Sequence, residues 1–593
     1  MKNIRIALLA AIILIFTGTS GQTAKKASPP NIVLILSDDM GYETLSYNGA
    51  TNYRTPNLDK LAGKSTVFTN CDAQPLCVPS RVKLITGQYN YRNYTSWDSF
   101  NLEFPALGQM MRDAGYRTGA FGKWHISRPA KELGFDEFSL SNTGSNELPY
   151  HEFFERFFYD CPLLEENGTY VAEYSPHRFN TRALQFIEDN KHRPFFLYYP
   201  MALAHNPFEP TPDSEDPGST HWQKNFNDMV AYSDKLIGRV IQKLKQTGVY
   251  DNTIIIYTSD NGTKTLAHHM EDGKTIYGGK GTHTHDGVHV PLLIKHDGTH
   301  QKVDDLVDFT DFYPTLADLA GYNTSGISDK MDGVSLLPVL KQKVRDEKPY
   351  IFSTFFHLLS AYIRGKRYKL YYDGRLYDLK NDPRELRPYY GNNDISDTQS
   401  ARKILKKQLS DLLENKSLSK YSTREKLRKK FGDYEVPPTD DFMLGGFIFD
   451  DLAYVPREES LTIDITPFLS KEPKEYRLRF SREHNSFNSG LTYGDISVSE
   501  IQLLKNGKLK ATYKDSLRLT TRVDHDRLKR TGNPYISFLK NGDGKGIAIG
   551  EHAGTEGDTY QLRIRTTVSN PDNQWGDRVM LYVFLDEETS TIK

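Results

Sequence analysis

Cysteine, net charge and long apolar runs are all scarce in this sequence of 593 residues. Its three cysteines are too few for a disulfide framework. Its formal net charge of -1 provides no bulk attraction to nucleic acid or anionic membranes. After residue 24 no apolar run is long enough to cross a bilayer. We therefore expect no nucleic-acid partner and no membrane span in the mature chain, and an anionic ligand would have to be attracted by local charges.

The first 24 residues have the pattern of a secretory signal peptide. Lys2 and Arg5 precede an apolar run at residues 6–16, and small residues suited to cleavage follow at residues 17–24. No cysteine comes directly after the run, so a lipid-anchored terminus is not expected. We predict a periplasmic or secreted protein, with an uncleaved anchor as the alternative.

Four apolar runs of strand length are each followed by polar residues that can carry chemistry. The runs lie at residues 31–36, 116–121, 194–199 and 253–258, and the polar residues after them are Asp38 and Asp39, Lys123 and His125, His205, and Asp260 and Asn261. Each group alone would suit a solvated turn or a capping residue. In open α/β sheets, however, ligands bind at the carboxyl ends of strands. Four such groups at successive strand ends therefore predict one common site.

A short predicted helix places Cys77 next to a helix N-terminus. Pro79 and Ser80 favour the start of a helix, and Gly87 favours its end. Cys77 would then lie just ahead of a helix N-terminus, where unpaired N–H groups and the helix dipole favour negative charge. The alternative is a small buried cysteine in a loop. For Cys71 and Cys161 a disulfide is conceivable, but the sequence does not establish it.

A glycine-rich segment after the fourth run contains Lys280, where backbone can approach a ligand closely. His283, His285 and His289 alternate with other residues after it. Such spacing is a weak zinc signal without further nitrogen or sulfur ligands, so we interpret the three as pocket or surface residues. A fifth strand is predicted at residues 290–294, and a helix at 308–321 would complete an α/β unit.

The pattern changes in the C-terminal half. Strands are predicted at residues 362–372 and 375–379 around an Asp-Gly turn, a charged helix at 400–430, and a linker at 431–441. Beyond it, alternating runs and Asn-Gly turns indicate an all-β module, either glycan-binding or supporting. The predicted units are a signal peptide at 1–24, an α/β domain at 25–345, a small α+β subdomain at 346–435 and a β-sandwich-like module at 440–593.

Together these motifs resemble the type I sulfatase family of the alkaline phosphatase superfamily, over roughly residues 30 to 415. In chain order they are Asp-Asp, Cys-x-Pro-Ser-Arg, Gly-Lys-x-His, His after a buried strand, Asp-Asn-Gly, Lys-Gly-Thr, Arg-Gly-Lys-Arg-Tyr-Lys and Leu-Tyr-Asp-Leu-x-x-Asp-Pro. The resemblance implies a central mixed sheet between helices. The family often has an acidic residue where His285-Asp286-Gly287 stands here. The resemblance therefore implies the chemistry of the site but not which residues form the substrate pocket.

The resemblance also implies a chemistry for the site. Cys77 would be oxidised to formylglycine, whose hydrated aldehyde supplies a hydroxyl nucleophile. The implied calcium ligands, with magnesium as second choice, are residue 77 together with Asp38, Asp39, Asp260 and Asn261. Arg81, Lys123 and Lys280 would surround the sulfate with positive charge. His205 would protonate the leaving alcohol, and His125 would take a proton from the second hydroxyl of residue 77.

The function expected on this basis is removal of sulfate from a sulfated carbohydrate, a polysaccharide or its oligosaccharides. Export and the additional β-module favour glycans over small aryl sulfates. A formylglycine-generating maturation enzyme is an implied partner. One alternative is a phosphonate or phosphate diester hydrolase of the same superfamily. The other is a sulfated-glycan binding protein with an unmodified Cys77, although a binder has no need of the full set of site residues.

Overall fold

The structure is a computed structural model of the chain. It describes residues 29–96, 99–141, 157–159, 161–165, 168–172, 174–264, 267–271, 274–345, 348–355, 357–371, 374–385, 388–389, 394–414, 442–449, 457–464, 474–484, 493–513, 517–521, 536–538, 547–552, 558–569 and 579–587. The predicted signal peptide, the predicted linker at 431–441 and Asn541-Gly542, one of the predicted Asn-Gly turns of the C-terminal module, lie outside these residues. Among the described helices, none has the length and apolarity that crossing a membrane requires.

The described part of the chain up to residue 378 contains eighteen strands. They are β1 (Asn31–Ser37), β2 (Thr66–Asp72), β3 (Tyr94–Ser96), β4 (Ser99–Phe100), β5 (Arg117–Lys123), β6 (Glu137–Ser141), β7 (Cys161–Glu165), β8 (Gly168–Ala172), β9 (Phe195–Pro200), β10 (Thr253–Ser259), β11 (His268–Glu271), β12 (Lys274–Tyr277), β13 (Leu292–Lys295), β14 (Gln301–Asp308), β15 (Ile351–Phe355), β16 (His357–Arg364), β17 (Tyr368–Tyr371) and β18 (Leu376–Asp378).

A central sheet contains ten of these described strands, in the order β14-β2-β13-β10-β1-β9-β5-β6-β7-β8. At its centre β10, β1, β9 and β5 run parallel to one another. The strand β13 is antiparallel to both β10 and β2. The sheet is therefore mixed, as predicted.

Helices cover both faces of this sheet. The α-helices among the described residues are Pro56–Ala62, Cys77–Thr86, Asn90–Asn93, Leu107–Asp113, Ser175–Asn190, Trp222–Gln246, His285–Val288, Phe312–Ala320, Leu337–Leu340 and Ser396–Glu414, and the 3-10 helices are Tyr42–Thr44, Ser46–Asn48, Phe309–Asp311 and Ser328–Lys330. Strand β1 shows why two layers are needed. Ile32 and Leu34 belong to one apolar core and Val33 and Ile35 to another, because alternate side chains point to opposite faces. The predicted α/β architecture is confirmed.

Some local predictions were wrong. The helix after Leu76 begins at Cys77 rather than at Pro79, because the first turn of a helix has unpaired N–H groups and accepts a proline there. Its predicted end is confirmed, because the helix runs to Thr86 and Gly87 is its C-cap, with a left-handed backbone at φ 63°. The polar, aromatic-rich sequence of residues 141–180 predicts an irregular surface excursion over the sheet, but β7 and β8 extend the sheet there. The three cysteines are free thiols, and Cys71 and Cys161 belong to different cores.

The predicted strand at 362–372 is two strands. In the described residues β15, β16, β17 and β18 form a four-stranded antiparallel sheet, and the chain turns between Arg364 and Tyr368. The N–H of Gly365 donates to the carbonyl oxygen of Tyr368 at 3.0 Å, which closes this turn. The hairpin predicted around Gly374 joins β17 to β18. The charged helix is Ser396–Glu414, and the rest of its predicted extent lies outside the described residues.

The C-terminal part of the chain contributes two further β-sheets, each with five described strands. Their strands are β19 (Phe442–Phe449), β20 (Arg457–Asp464), β21 (Lys474–His484), β22 (Tyr493–Lys505), β23 (Lys508–Tyr513), β24 (Leu517–Thr521), β25 (Ile536–Phe538), β26 (Ile547–His552), β27 (Tyr560–Ser569) and β28 (Val579–Glu587). Asn506 and Gly507 both have positive φ, 52° and 73°, as a tight hairpin turn between β22 and β23 requires.

A buried ion pair joins the small sheet to the central one. Arg364 on β16 donates to both carboxylate oxygens of Asp72 on β2, at 2.7 and 2.5 Å, and the Tyr362 hydroxyl donates to the same carboxylate at 2.8 Å. Burial alone would raise the pKa of Asp72, but the Arg364 guanidinium holds it below its usual range. The carboxylate is therefore charged and shared between the two sheets.

We predict that Asp72→Asn lowers the free energy of unfolding of the folded protein by roughly 3–5 kcal/mol, since it leaves the Arg364 guanidinium buried without its carboxylate. Urea unfolding followed by circular dichroism measures this change. The matched control is Asp304→Asn, which removes the exposed pair of Asp304 with Lys366 and should cost less than about 1 kcal/mol. Equal losses in the two variants would contradict the assignment.

Candidate active site

The carboxyl ends of the central parallel strands meet at one edge of the sheet. Ser37 at the end of β1 pairs with Ser259 at the end of β10, so the carboxylates that follow these strands are neighbours. The N–H of Asp39 donates to Oδ1 of Asp260 at 3.3 Å. The segment after β9 closes over Asp38, whose N–H donates to the Leu203 carbonyl oxygen at 3.0 Å. The register of the sheet thus brings the predicted residues together.

Three carboxylates lie at the bottom of the site. Asp38, Asp39 and Asp260 are fully buried, and Asp39 has a left-handed backbone with φ 58°. Carboxylate oxygens of Asp38 and Asp260 and Sγ of Cys77 lie within 4.8 Å of one another. Burial raises the pKa values of Asp38 and Asp39, and neighbouring carboxylates raise them further while the nearby lysines oppose the shift.

Each carboxylate is paired with a buried cation from a different element. Lys123 at the end of β5 donates to Asp38 at 2.5 Å, and Lys280 lies 2.6 and 2.7 Å from the two oxygens of Asp39. Arg81 on the helix Cys77–Thr86 donates to Oδ2 of Asp260 through Nε at 3.1 Å and through a terminal nitrogen at 2.7 Å.

The cluster pairs three carboxylates with three cationic side chains, so their formal charges cancel. A bound divalent cation would leave an excess of two positive charges, which is the sign that attracts an anionic ester.

The oxygen atoms of the site fit a hard divalent cation. Within the described residues, Oδ1 of Asp38 and Oδ1 of Asn261 are buried without a hydrogen-bond partner. The amide nitrogen of Asn261 donates to Asp39 at 2.8 Å and to the Gly262 carbonyl oxygen at 2.9 Å, so its oxygen remains for another role. Buried polar atoms normally have partners, and carboxylate and amide oxygens are the ligands that calcium prefers.

Cys77 lies at the first position of its helix and is 3% exposed. Its Sγ is 3.3 Å from Nδ1 of His125 and 3.8 Å from Nζ of Lys123. Burial raises the pKa of the Cys77 thiol, and the neighbouring lysines oppose that shift. The helix N-terminus and the two lysines surround residue 77 with positive charge, which offsets part of the cost of a buried negative charge there.

Two histidines lie at the site, His125 beside Sγ of Cys77 and His205 with a ring nitrogen within 4.8 Å of carboxylate oxygens of Asp38 and Asp39. His125, with φ 56°, follows Lys123, whose carbonyl oxygen accepts a hydrogen bond from Arg81. His205 follows β9, and its Nδ1 lies 2.5 Å from the carbonyl oxygen of Asn206. Since a carbonyl oxygen only accepts, Nδ1 carries a proton, which leaves Nε2 for exchange. Burial lowers the pKa of both histidines, and the positive charge of Lys123 lowers it further.

The sequence did not mark Phe157 as a site residue. Its ring stacks on His205 with centroids 4.9 Å apart, and Nζ of Lys123 lies 5.6 Å from its centroid. Phe157 comes from an aromatic-rich segment that was expected only to cover the sheet, and neither its type nor its spacing distinguishes it from core-filling phenylalanines.

The three histidines after Lys280 belong to no candidate metal cluster among the described residues. His283 is buried against the edge of Tyr362, and His285 stacks on His289 with centroids 4.2 Å apart. Nε2 of His289 lies 2.9 Å from the carbonyl oxygen of Thr69. The contacts of His285 and His289 are those of packing residues at the junction of the two sheets.

Comparison with known proteins gives two family matches. The family model described as "Sulfatase" matches residues 30–322, and the model described as "N-sulphoglucosamine sulphohydrolase, C-terminal" matches residues 278–415. The second match covers β15–β18 and the helix Ser396–Glu414, so the small sheet belongs to the same family architecture.

Curated relatives and solved structures agree with these matches. Human N-acetylgalactosamine-6-sulfatase is 30% identical over 373 residues, which are 56% of this chain and 70% of that protein. Mouse arylsulfatase J is 31% identical over 56% of this chain, which spans 58% of its length. A solved structure described as Ps i-CgsB with k-i-k-neocarrahexaose has a TM-score of 0.55 and 25% identity, covering 66% of this chain and 94% of its own.

The ordered motifs, the mixed sheet with its clustered strand ends, and a human relative matched over more than two thirds of its length all lead to one assignment. The chain belongs to the sulfatase family of sulfuric ester hydrolases.

Proposed function

We propose that this protein removes sulfate from a sulfated carbohydrate, with residue 77 as its nucleophile. The observation that carries the proposal is the position of Cys77, at a helix N-terminus among the paired acids and bases of the site. Two comparisons support a sugar substrate. The human relative is named for N-acetylgalactosamine, and the solved structure at 25% identity is a complex with neocarrahexaose.

The cations of the site bind and orient the sulfate group. Lys123 and Lys280 carry donors beside Cys77 and Asp39, and Arg81 holds Asp260 and the carbonyl oxygen of Lys123 in fixed positions. Donors arranged before the reaction stabilise the charge that develops on sulfate oxygens without reorganisation. Because each lysine is held by a carboxylate, its ammonium group stays in place when the substrate binds.

The two histidines move protons at separate atoms. His205 is held by its Nδ1 contact with Asn206 and by stacking on Phe157, so Nε2 delivers the proton to the leaving sugar oxygen. The negative charge of a bound sulfate ester favours the protonated ring that this role requires. His125, 3.3 Å from Sγ of Cys77, accepts a proton from the side chain of residue 77.

Two groups complete the proposed site. A maturation enzyme would oxidise the Cys77 thiol to the aldehyde of formylglycine with an oxidant such as dioxygen and loss of the sulfur. Addition of water to the aldehyde would then supply a hydroxyl nucleophile in place of the thiol. The residues that would hold one calcium ion are Asp38, Asp39, residue 77, Asp260 and Asn261. When bound, the ion supplies positive charge and lowers the pKa of a coordinated hydroxyl.

The proposed setting is the periplasm or the exterior of the cell, in line with the N-terminal pattern.

The proposed division of the chain is a signal peptide at 1–24, a catalytic domain at 25–345, a subdomain at 346–435 and an accessory β-module at 440–593. Under this division the site residues all belong to the catalytic domain.

We predict that the tryptic peptide of residues 65–81, from protein made together with a cysteine-type maturation enzyme, carries an aldehyde at residue 77. Mass spectrometry would show the exchange of SH₂ for O at one position. Cys71 in the same peptide is the internal control, since it should remain an alkylatable thiol. This material should desulfate sulfated oligosaccharides, and Cys77→Ala should abolish turnover.

An unmodified thiol at residue 77 in all of the protein would overturn the nucleophile assignment and favour the sulfated-glycan binding protein. Faster hydrolysis of matched phosphate or phosphonate diesters than of any sulfated glycan would overturn the substrate class. These two results are separable, since one concerns a peptide mass and the other a substrate panel.

We predict that His205→Asn lowers kcat on a sugar sulfate by roughly 10²- to 10⁴-fold, the usual contribution of a general acid. The loss should be far smaller on 4-nitrophenyl sulfate, because a nitrophenolate leaves without a proton. Initial rates on both substrates measure the difference. His177→Asn, which alters a histidine bonded to Tyr232 away from the site, is the control. Equal losses of His205→Asn on both substrates would contradict the acid role.

We predict that EGTA abolishes turnover and lowers the melting temperature, and that calcium restores both better than magnesium does. A ligand at 100 times its dissociation constant stabilises a protein by about 2.7 kcal/mol, so the thermal shift is measurable by calorimetry. Asp260→Asn should lose the calcium response, whereas Asp378→Asn, which alters a buried carboxylate paired with Arg367, should keep it. A chelator that changes neither activity nor melting would contradict the metal site.

A further inference from the structure

The loop that carries Lys280 is held from two sides. In its first half, the N–H of Lys280 donates to the carbonyl oxygen of Thr263 at 2.9 Å, and that of Gly281 to Pro75 at 2.8 Å. Thr263 follows β10 and Pro75 follows β2, so both acceptors are attached to strands of the central sheet. The second half of the loop, at residues 283–285, is bound by side chains from the small sheet and from the chain just after it.

Glu385 is the centre of this second attachment. Its Oε1 accepts hydrogen bonds from the N–H of His285 at 2.7 Å and from Nζ of Lys369 at 2.8 Å. Its Oε2 lies 2.5 Å from the hydroxyl of Tyr371. The charged groups of Glu385 and Lys369 are each about 1% exposed, so the pair is fully desolvated.

Lys369 and Tyr371, the partners of Glu385, also bind the loop at His283, two residues before His285. Nζ of Lys369 donates to the carbonyl oxygen of His283, and the hydroxyl of Tyr371 lies 2.9 Å from that oxygen. Two backbone groups of the loop, the His283 carbonyl and the His285 N–H, are thus fixed by one network of buried side chains. A network of this kind has a single satisfied arrangement.

The backbone of Glu385 is itself unusual, with φ 56° in the left-handed region that residues other than glycine rarely adopt. Such strain persists only where the surrounding contacts hold it, and it concentrates near functional sites. The contacts that hold it here are those with Lys369, Tyr371 and His285.

Close packing of glycines connects this attachment to Lys280. A Cβ on Gly279 would lie 2.6 Å from the backbone carbon of Asp286, and a Cβ on Gly287 would lie 2.4 Å from the carbonyl oxygen of Gly279. The backbone just before Lys280 is therefore in contact with the backbone just after His285. A displacement at His285 has to move the residue that precedes Lys280.

We propose that Glu385 is a positioning residue for the active site, which holds the Lys280 loop so that the ammonium group stays on Asp39 and faces the sulfate. The inference rests on the proposed function for the role of Lys280, while the anchoring itself rests on the contacts of Glu385. It gives Lys369 and Tyr371 of the small sheet, and Glu385 after it, a part in catalysis through the loop that they hold.

Glu385→Gln tests this role, because it keeps the shape of the side chain and removes the charge. Hydrogen exchange at the amides of residues 280–285 should accelerate. The affinity for inorganic sulfate, measured by calorimetry on the calcium-loaded protein, should fall by roughly tenfold, a coupling of the size seen between contacting residues. Asp378→Asn is the matched control, since Asp378 pairs with Arg367 on the same hairpin and should leave both quantities unchanged.

A double-mutant cycle separates positioning from general destabilisation. In a Lys280→Ala background, Glu385→Gln should cause no further loss of sulfate affinity, whereas a merely structural role would lower it again. If Glu385→Gln unfolds because Lys369 is left buried without a partner, the pair Glu385→Gln with Lys369→Met removes that charge and takes its place in the same comparison.

Unchanged exchange in residues 280–285, or a full additional loss in the Lys280→Ala background, would overturn the proposal. Failure of the proposed function would be visible elsewhere, as a wild-type protein that desulfates no glycan. The exchange measurement needs no substrate and still reports whether Glu385 anchors the loop.

Discussion

Three carboxylates enclosed without exposure to water are the constraint on which the rest of this structure depends. Asp38, Asp39 and Asp260 would repel one another if each were not matched by a buried cation. Those cations come from the helix after Leu76, from the end of β5 and from the loop before His285. Three separate elements must therefore converge on two neighbouring strand ends, which fixes the layout of the helices and loops around them.

Much of this arrangement could be predicted from the sequence, because its signals are local. The runs that form β1, β9 and β10 are apolar at their central positions, as is typical of strands buried on both faces. Parallel strands carry the residues that follow them to one edge, so seven of the ten predicted site residues could be placed together without knowing the distances. Cys77, Arg81 and Lys280 do not follow these strands and are assigned to the site by the family resemblance. Their order along the chain then pointed to a family, and the family matches agree with it.

The remaining features depend on contacts between residues far apart in the chain. The direction of β13 and the position of β2 in the sheet are set by which strands pair with them. The amino-acid composition of either strand does not predict that pairing. Phe157 acquires a role only because β9 brings His205 against its ring. Glu385 is one of many acidic residues in the sequence, and its burial against Lys369 and its contact with the His285 N–H are visible in the fold alone.

The burial of Cys77 has a consequence for how active protein arises. The whole helix Cys77–Thr86 is buried, and Cys77 is 3% exposed, so a protein-sized catalyst cannot reach its thiol once the chain has folded. A maturation enzyme of the kind proposed has to bind this segment while it is extended. Folding and modification then compete in time, and a chain that folds first keeps its thiol. The active fraction of any preparation would report the ratio of two rates rather than the stability of the fold.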